Sequence, residues 1–203
     1  MRKNCWPNLM LFTLATILGI GSAWYVMRYA QFTTNAQQIS GWKTLSTPIS
    51  HPSETEIISP RILYSRAITA VRGLLALSSE ETIYFVRYTD KNGAELKANC
   101  TYQINGATLP ARWWSLTAYA NDFFLFDAPN HIFSIDQSRA ALDELGQFTA
   151  SIGPTPLKDT YWIPTIGKES VVLTLRLYQP ENDLIHHLND LKPPEITPVG
   201  VCS

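Results

Sequence analysis

The chain has 203 residues, 16 of them basic and 17 acidic, for a net charge of −1. That balance leaves no basic surface able to neutralise a run of phosphates, which excludes nucleic acid as a partner. Setting aside a hydrophobic N-terminal segment leaves about 175 residues, the size of one domain with one core, and an aromatic content of 11%, much of it in runs with Val, Ile and Thr, points to β-structure.

Arg2 and Lys3 precede an uncharged run from Leu9 to Val26, closed by Arg28. As a helix rising 1.5 Å per residue the run spans roughly 27 Å, close to the hydrocarbon thickness of a bilayer. Trp6 at one end and Trp24, Tyr25 and Tyr29 at the other suit the two headgroup levels. Residues 1–30 are therefore expected to form a retained single-pass anchor. The excess of positive charge before the helix keeps the N-terminus inside and puts the rest of the chain on the periplasmic side of the cell inner membrane. The competing reading is a secretory signal cleaved after the small residues Gly21, Ser22 and Ala23, with the domain secreted.

Residues 31–59 are rich in Thr, Ser, Gln and Pro and read as a polar spacer, with the folded domain expected over 60–203. From Pro60 the apolar residues fall at three-and-four spacing as far as Leu75, which predicts an amphipathic helix whose Arg61, Arg66 and Arg72 are solvated or paired. Ser78 followed three residues on by Glu81 has the form of a capping box. The period then changes to two. Ile83–Tyr88 reads as a strand, Asp90–Gly93 as a turn, and Ala94–Ile104 as the returning arm of a hairpin. A second turn at Asn105–Gly106 leads into Arg112–Tyr119, where Trp114, Leu116 and Ala118 alternate with Trp113, Ser115, Thr117 and Tyr119. Val171–Tyr178 repeats the device, with Val171, Leu173, Leu175 and Leu177 on one side. The expected fold is mainly β, an antiparallel β-sandwich or jelly-roll-like domain with one or two packed helices, preceded by the transmembrane helix.

Of the three cysteines, Cys5 stands at the cytoplasmic edge of the anchor, while Cys100 and Cys202 belong to the exported part, where they can form one disulfide. Closing a loop of about 100 residues stabilises by roughly 4.7 kcal/mol in the chain-entropy model.

The search for chemistry gives mainly negatives. His51, His131, His186 and His187 stand at no zinc-type spacing, so no metal and no cofactor are expected. Ser115 lacks the glycines of a nucleophile elbow. Glu80 and Glu81, like Asp122 and Asp127, sit where capping and turn formation explain them. What remains is a mixed face, Trp113, Ser115, Thr117 and Tyr119 on one strand and Thr174, Arg176 and Tyr178 on another. If the strands are neighbours this face suits stacking on a sugar or capture of an acid group. Asn130 and Ser134 could rim it. The structural alternative packs Trp113 and Tyr119 beneath the 60–76 helix and pairs Arg176 with an acid.

Several stretches carry a family resemblance: Arg66-Ala67, Ala98-Asn99-Cys100-x-Tyr102, Pro110-Ala111-Arg112-Trp113-Trp114-Ser115-Leu116-Thr117-x-Tyr119, Asn130 with Ser134, Trp162-x-Pro164 and Leu175-Arg176-Leu177-Tyr178-x-Pro180. Through them the chain resembles the bacterial proteins carrying the domain of unknown function 1214, over roughly residues 60 to 202. The resemblance implies an all-β module, often fused behind a companion domain of unknown function 1254, with no settled activity. Here a hydrophobic helix stands in the companion's place. The expectation is a non-catalytic envelope module that binds a companion-type protein or an envelope ligand. The alternative is a hydrolase or lyase, with Arg176 as anion clamp and Tyr119 or Tyr178 as proton donor.

Overall fold

The structure, a computed structural model, describes residues 6–29, 37–44 and 77–200, with the side chains of 9–25 described inside the first helix. The helix expected over 60–76 with its three arginines, most of the expected spacer, Cys5, His51 and Cys202 lie outside the described residues. Two compact units are present, Met1–Asn35 and Ala36–Ser203.

The first unit contains α1 (Trp6–Tyr29). Its described side chains, from Leu9 to Tyr25, are exposed all round and none is charged. Among the described residues no helix is long and apolar enough to cross a membrane, so the expected span over 1–30 is not shown.

The second unit is mainly β. Its strands are β1 (Gln38–Ile39), β2 (Trp42–Thr44), β3 (Thr82–Arg87), β4 (Thr101–Ala107), β5 (Ala111–Ala120), β6 (Ser134–Asp136), β7 (Gln147–Gly153), β8 (Tyr161–Pro164), β9 (Val171–Pro180) and β10 (Glu195–Val199), with a short helix α2 (Asn182–His186). One sheet has six strands in the order β1-β2-β3-β9-β5-β6, the other four in the order β10-β4-β7-β8. The larger is antiparallel throughout. The smaller is mixed, because β7 and β8 run parallel.

Alternation puts the core between the sheets, as the sequence predicts for two of its strands. Trp114, Leu116 and Ala118 of β5 and Leu173, Leu175 and Leu177 of β9 share one cluster with Tyr102, Ile104, Phe148 and Ile152 from the second sheet. The Trp114 and Phe148 rings stack across the gap at 4.9 Å between centroids. Removing a ring of this size from a closed core costs about 3–5 kcal/mol.

Three sequence expectations are corrected. Residues 38–44 of the expected spacer form the β1–β2 hairpin, and Trp42, 0% exposed, enters the core, so this part of the expected spacer belongs to the folded unit. Arg87 of β3 reinforces this hairpin, donating to the carbonyls of Ser40 (2.8 Å) and Thr89 (2.6 Å) and lying over the Trp42 ring. Burial pulls its guanidinium below the ordinary arginine value, with Asp90 and Glu195 opposing. Second, Ala94–Ile104 is not the partner of β3, which pairs with β2 and β9. The turn itself is real, closed by Asp90 Oδ1 accepting from the Asn92 and Ala94 amides. Beyond it Leu96 and Ala98 dive between the sheets, and the chain emerges as β4 in the other sheet. Third, Asn105–Gly106 is strand rather than turn. A Cβ on Gly106 would come within 2.6 Å of the Phe148 ring, so glycine serves close packing there.

Candidate functional site

The two strands that carry the mixed face are neighbours. β5 and β9 pair along their length, with Trp113 opposite Tyr178, Ser115 opposite Arg176 and Thr117 opposite Thr174. β3 continues each row on the far side of β9, placing Thr82 beside Tyr178, Tyr84 beside Arg176 and Val86 beside Thr174. β6 continues two of them, placing Asp136 beside Ser115 and Ser134 beside Thr117. All these side chains lie on the face opposite the core, because their strand neighbours point into it.

The middle of this face is closed. Arg176 is half-buried; its Nη1 donates to Thr117 Oγ1 at 3.0 Å and its Nη2 to the Tyr119 hydroxyl at 2.8 Å, with the guanidinium 5.5 Å from the Tyr119 ring centroid. Among the described residues it makes no ion pair with a carboxylate. Asp136, one row position away across Ser115, is engaged by the Ser138 amide and hydroxyl and by Arg139. Ser115, Thr117 and Tyr84 are buried. Two hydroxyls on the face, Thr82 Oγ1 and Thr174 Oγ1, are buried with no hydrogen-bond partner among the described residues.

The end of the face at Trp113 is open. A groove of about 580 Å³ is lined by Leu77, Glu80, Thr82, Arg112, Trp113 and Tyr178, with Glu81 and Gln179 completing it. Trp113 is 39% exposed, its ring tilted 48° to that of Tyr178 with centroids 5.2 Å apart. Gln179 follows Tyr178 and takes φ +46°, in the left-handed region that a side chain with a Cβ seldom occupies. Its amide N–H donates to the Glu81 carbonyl at 2.8 Å, and its side-chain oxygen accepts from Arg112 Nη1 at 2.8 Å. The opposite wall is fixed by the Ser78–Glu81 turn. The Glu81 carboxylate accepts from the Ser78 amide and hydroxyl at 3.1 Å each, the reciprocal bond expected of the capping-box pattern.

Of the residues expected to form the site, Trp113 and Tyr178 line the groove, whereas Ser115, Thr117, Tyr119 and Arg176 lie further along the same face, bonded to one another or buried. Asn130 sits in the loop after β5, and its Oδ1 accepts from the Ile132 amide. That loop leaves the opposite end of β5, roughly 20 Å from Trp113 at strand rise. Arg112 and Gln179 contribute to the groove without having been singled out as ligand residues. Cys100 is buried and its side chain is engaged, but Cys202, its expected disulfide partner, lies outside the described residues.

Residues 81–182, half of the chain, match the family described as protein of unknown function (DUF1214). Among solved structures, the VPA0106 protein from Vibrio parahaemolyticus is similar, with a TM-score of 0.57 at 21% identity, covering 70% of this chain and 36% of that one. An uncharacterized protein from Burkholderia cenocepacia matches with a TM-score of 0.48 at 14% identity, covering 64% of this chain and 33% of that one. The chain thus spans about a third of the length of these structures, and the first likeness shows the fold alone. None of the curated proteins matches.

Proposed function

The chain belongs to the DUF1214 family of proteins of unknown function, and we propose that it is a non-catalytic binding module of the cell envelope whose ligand face is the Trp113–Tyr178 groove. The observation that carries this reading is the exposed ring pair standing beside Gln179, a residue held in strained backbone conformation and bonded to Arg112. Aromatic rings with one face free supply contact area at little entropic cost, and backbone strain persists where the surrounding structure over-determines it. The hydrolase or lyase alternative has less support. Of the two proton donors it would use, the Tyr119 hydroxyl accepts from Arg176, and among the described residues no carboxylate or imidazole is bonded to it or to the Tyr178 hydroxyl.

The placement we propose is the periplasmic side of the inner membrane, with α1 as a membrane anchor. Its support is the uncharged, exposed and largely apolar surface of residues 9–25 and the basic residues before them. A Cys100–Cys202 disulfide and a partner carrying the domain of unknown function 1254 belong to the same proposal. Tagged full-length protein should bring a ligand or partner with it from its native envelope, and Trp113→Ala should lose that material while remaining folded. Retention of everything by Trp113→Ala would remove the groove as the binding face. A phosphatase fused after Ser203 should be active, and an inactive fusion would reverse the topology.

A further inference from the structure

We infer that Asn92 is a site of spontaneous covalent modification, at which the side-chain amide is lost and aspartate and isoaspartate take its place. The second Asn-Gly pair of the chain, Asn105-Gly106, is protected by the fold. The reaction needs no catalyst. The Gly93 backbone nitrogen gives up its proton to solvent base and attacks the Asn92 side-chain carbonyl carbon. A C–N bond forms there, the bond to the side-chain nitrogen breaks, and that nitrogen leaves as ammonia after taking a proton from water. Water then opens the resulting five-membered imide. Attack at the side-chain carbonyl restores the backbone and leaves aspartate, whereas attack at the backbone carbonyl routes the chain through the side chain as isoaspartate. Nothing is oxidised or reduced, and water is the only co-reactant.

Such an attack needs a next residue with no Cβ in the way, solvent at its amide and a backbone able to bring nitrogen to carbon. Asn92 and Gly93 meet all three conditions. Both are exposed, at the tip of the turn closed by the Thr89–Glu95 bridge. Gly93 takes φ +86°, and nothing lies within 4 Å of where a Cβ would stand. Its amide is also the most loosely held in the turn. It donates to the Asp90 carbonyl at 3.2 Å, whereas the Asp90 amide donates to the Ala94 carbonyl at 2.8 Å, and the Asn92 and Ala94 amides donate to Asp90 Oδ1 at 2.8 and 3.0 Å. That one long bond can open while the others hold the turn.

Asn105-Gly106 has the same two residues, and alanine follows both pairs. Its surroundings are the reverse. β4 is an interior strand, paired with β10 on one side and β7 on the other. The Asn105 side-chain oxygen accepts from Gln103 Nε2 at 3.0 Å and from Thr149 Oγ1 at 3.2 Å, which pins the carboxamide. Gly106 is pressed so closely on the Phe148 ring that the backbone has no room to swing towards it.

The product disturbs the turn. Isoaspartate adds one methylene to the backbone between two amides that Asp90 Oδ1 accepts together, and either product places a second carboxylate two residues from Asp90. Lys91 in the same turn donates its amide to the Ile196 carbonyl and pairs with Glu195, so the disturbance reaches β10.

The test incubates the full-length protein in detergent at mildly alkaline pH, in water enriched in heavy oxygen so that conversion during later digestion is distinguished. Peptide mapping should show the Asn92 peptide taking up the label and its isoaspartate form becoming a substrate for an isoaspartyl methyltransferase. The Asn105 peptide should react at least tenfold more slowly, and in denaturant the two should react at similar rates. Gly93→Ala should slow Asn92 at least tenfold. Because alanine is strained at φ +86°, the same variant is also compared in denaturant, where that strain is absent and the slowing should persist. Asn105 keeping pace with Asn92 in the folded protein would overturn protection by the fold. Asn92 reacting only in denaturant would show that the closed turn shields it, and would overturn the site. A modified fraction with an unchanged denaturant midpoint would overturn the effect on β10.

Discussion

The two ends of the outer face of the β5–β9 ladder carry similar residues, an arginine, a tyrosine and further polar or aromatic groups, yet one end is closed and the other open. At the Arg176 end each row runs across four strands, so Arg176 has Tyr84 on one side and Ser115, then Asp136, on the other. At the Trp113 end β6 has already stopped, since its pairing with β5 covers only Ser115 to Thr117. Among the described residues Trp113 therefore has no strand partner on its outer side, and it is left 39% exposed. Alternation decides which face a residue occupies; the length of the adjacent strand decides whether that position is covered.

The sharpest way to break this contrast is to exchange the roles of the two ends. Arg176→Gln removes two charge-assisted hydrogen bonds, to the buried Thr117 and the half-buried Tyr119 hydroxyl, and should destabilise by about 2–3 kcal/mol, read as a lower denaturant midpoint, while leaving recovery of envelope material by the folded fraction unchanged. Trp113→Ala should do the reverse, costing less than about 1 kcal/mol as an exposed residue while losing binding. A stable Arg176→Gln that no longer binds would move the ligand to the closed end, where the sequence alone had centred it.

The two unpartnered threonines offer a matched pair of smaller effect. Thr82 and Thr174 are each 1% exposed, on the same face, with hydroxyls that lack a partner among the described residues. Valine keeps the shape and removes the unsatisfied group, so each Thr→Val should stabilise by about 1 kcal/mol, within the range for relieving a buried unpaired polar group. Of the two only Thr82 lines the groove, so Thr82→Val should also lower recovery of envelope material, and Thr174→Val should not. Equal effects of both on binding would remove Thr82 from the site.

Much of this architecture was legible because it rests on local patterns. The inward set Trp114, Leu116 and Ala118, the leucines of β9 and the Ser78–Glu81 turn follow from periodicity and capping chemistry, and all are found where that chemistry puts them. The distinctive run around Trp113 likewise identified the family. What escaped depended on distant partners. β1 and β2 lie in a polar stretch, and their burial is decided by Trp42 and by Arg87, more than 40 residues on. The crossover after Asp90 is invisible because a tight turn looks the same whether or not its arms remain paired. The groove combines residues 77–82, 112–113 and 178–179, three segments that no spacing rule brings together.

The smallest expected effect concerns Gln179, where backbone and side chain pull in different directions. A non-glycine residue in the left-handed region is strained by roughly 1 kcal/mol, which glycine avoids. The glycine form loses the bond to Arg112, worth no more than about 1 kcal/mol on an exposed surface, and adds freedom to the unfolded chain. Gln179→Gly should therefore change stability by less than about 0.5 kcal/mol, whereas Gln179→Ala keeps the strain and loses the bond, and should fall below it. Both variants free Arg112, so both should weaken recovery of envelope material by a similar factor despite their different stabilities. Urea midpoints and recovery of envelope material on this pair separate the backbone's contribution from the side chain's. If the alanine form proved as stable as the glycine form, the conformation at Gln179 would carry no strain, and its position beside the rings would lose its weight as a sign of function.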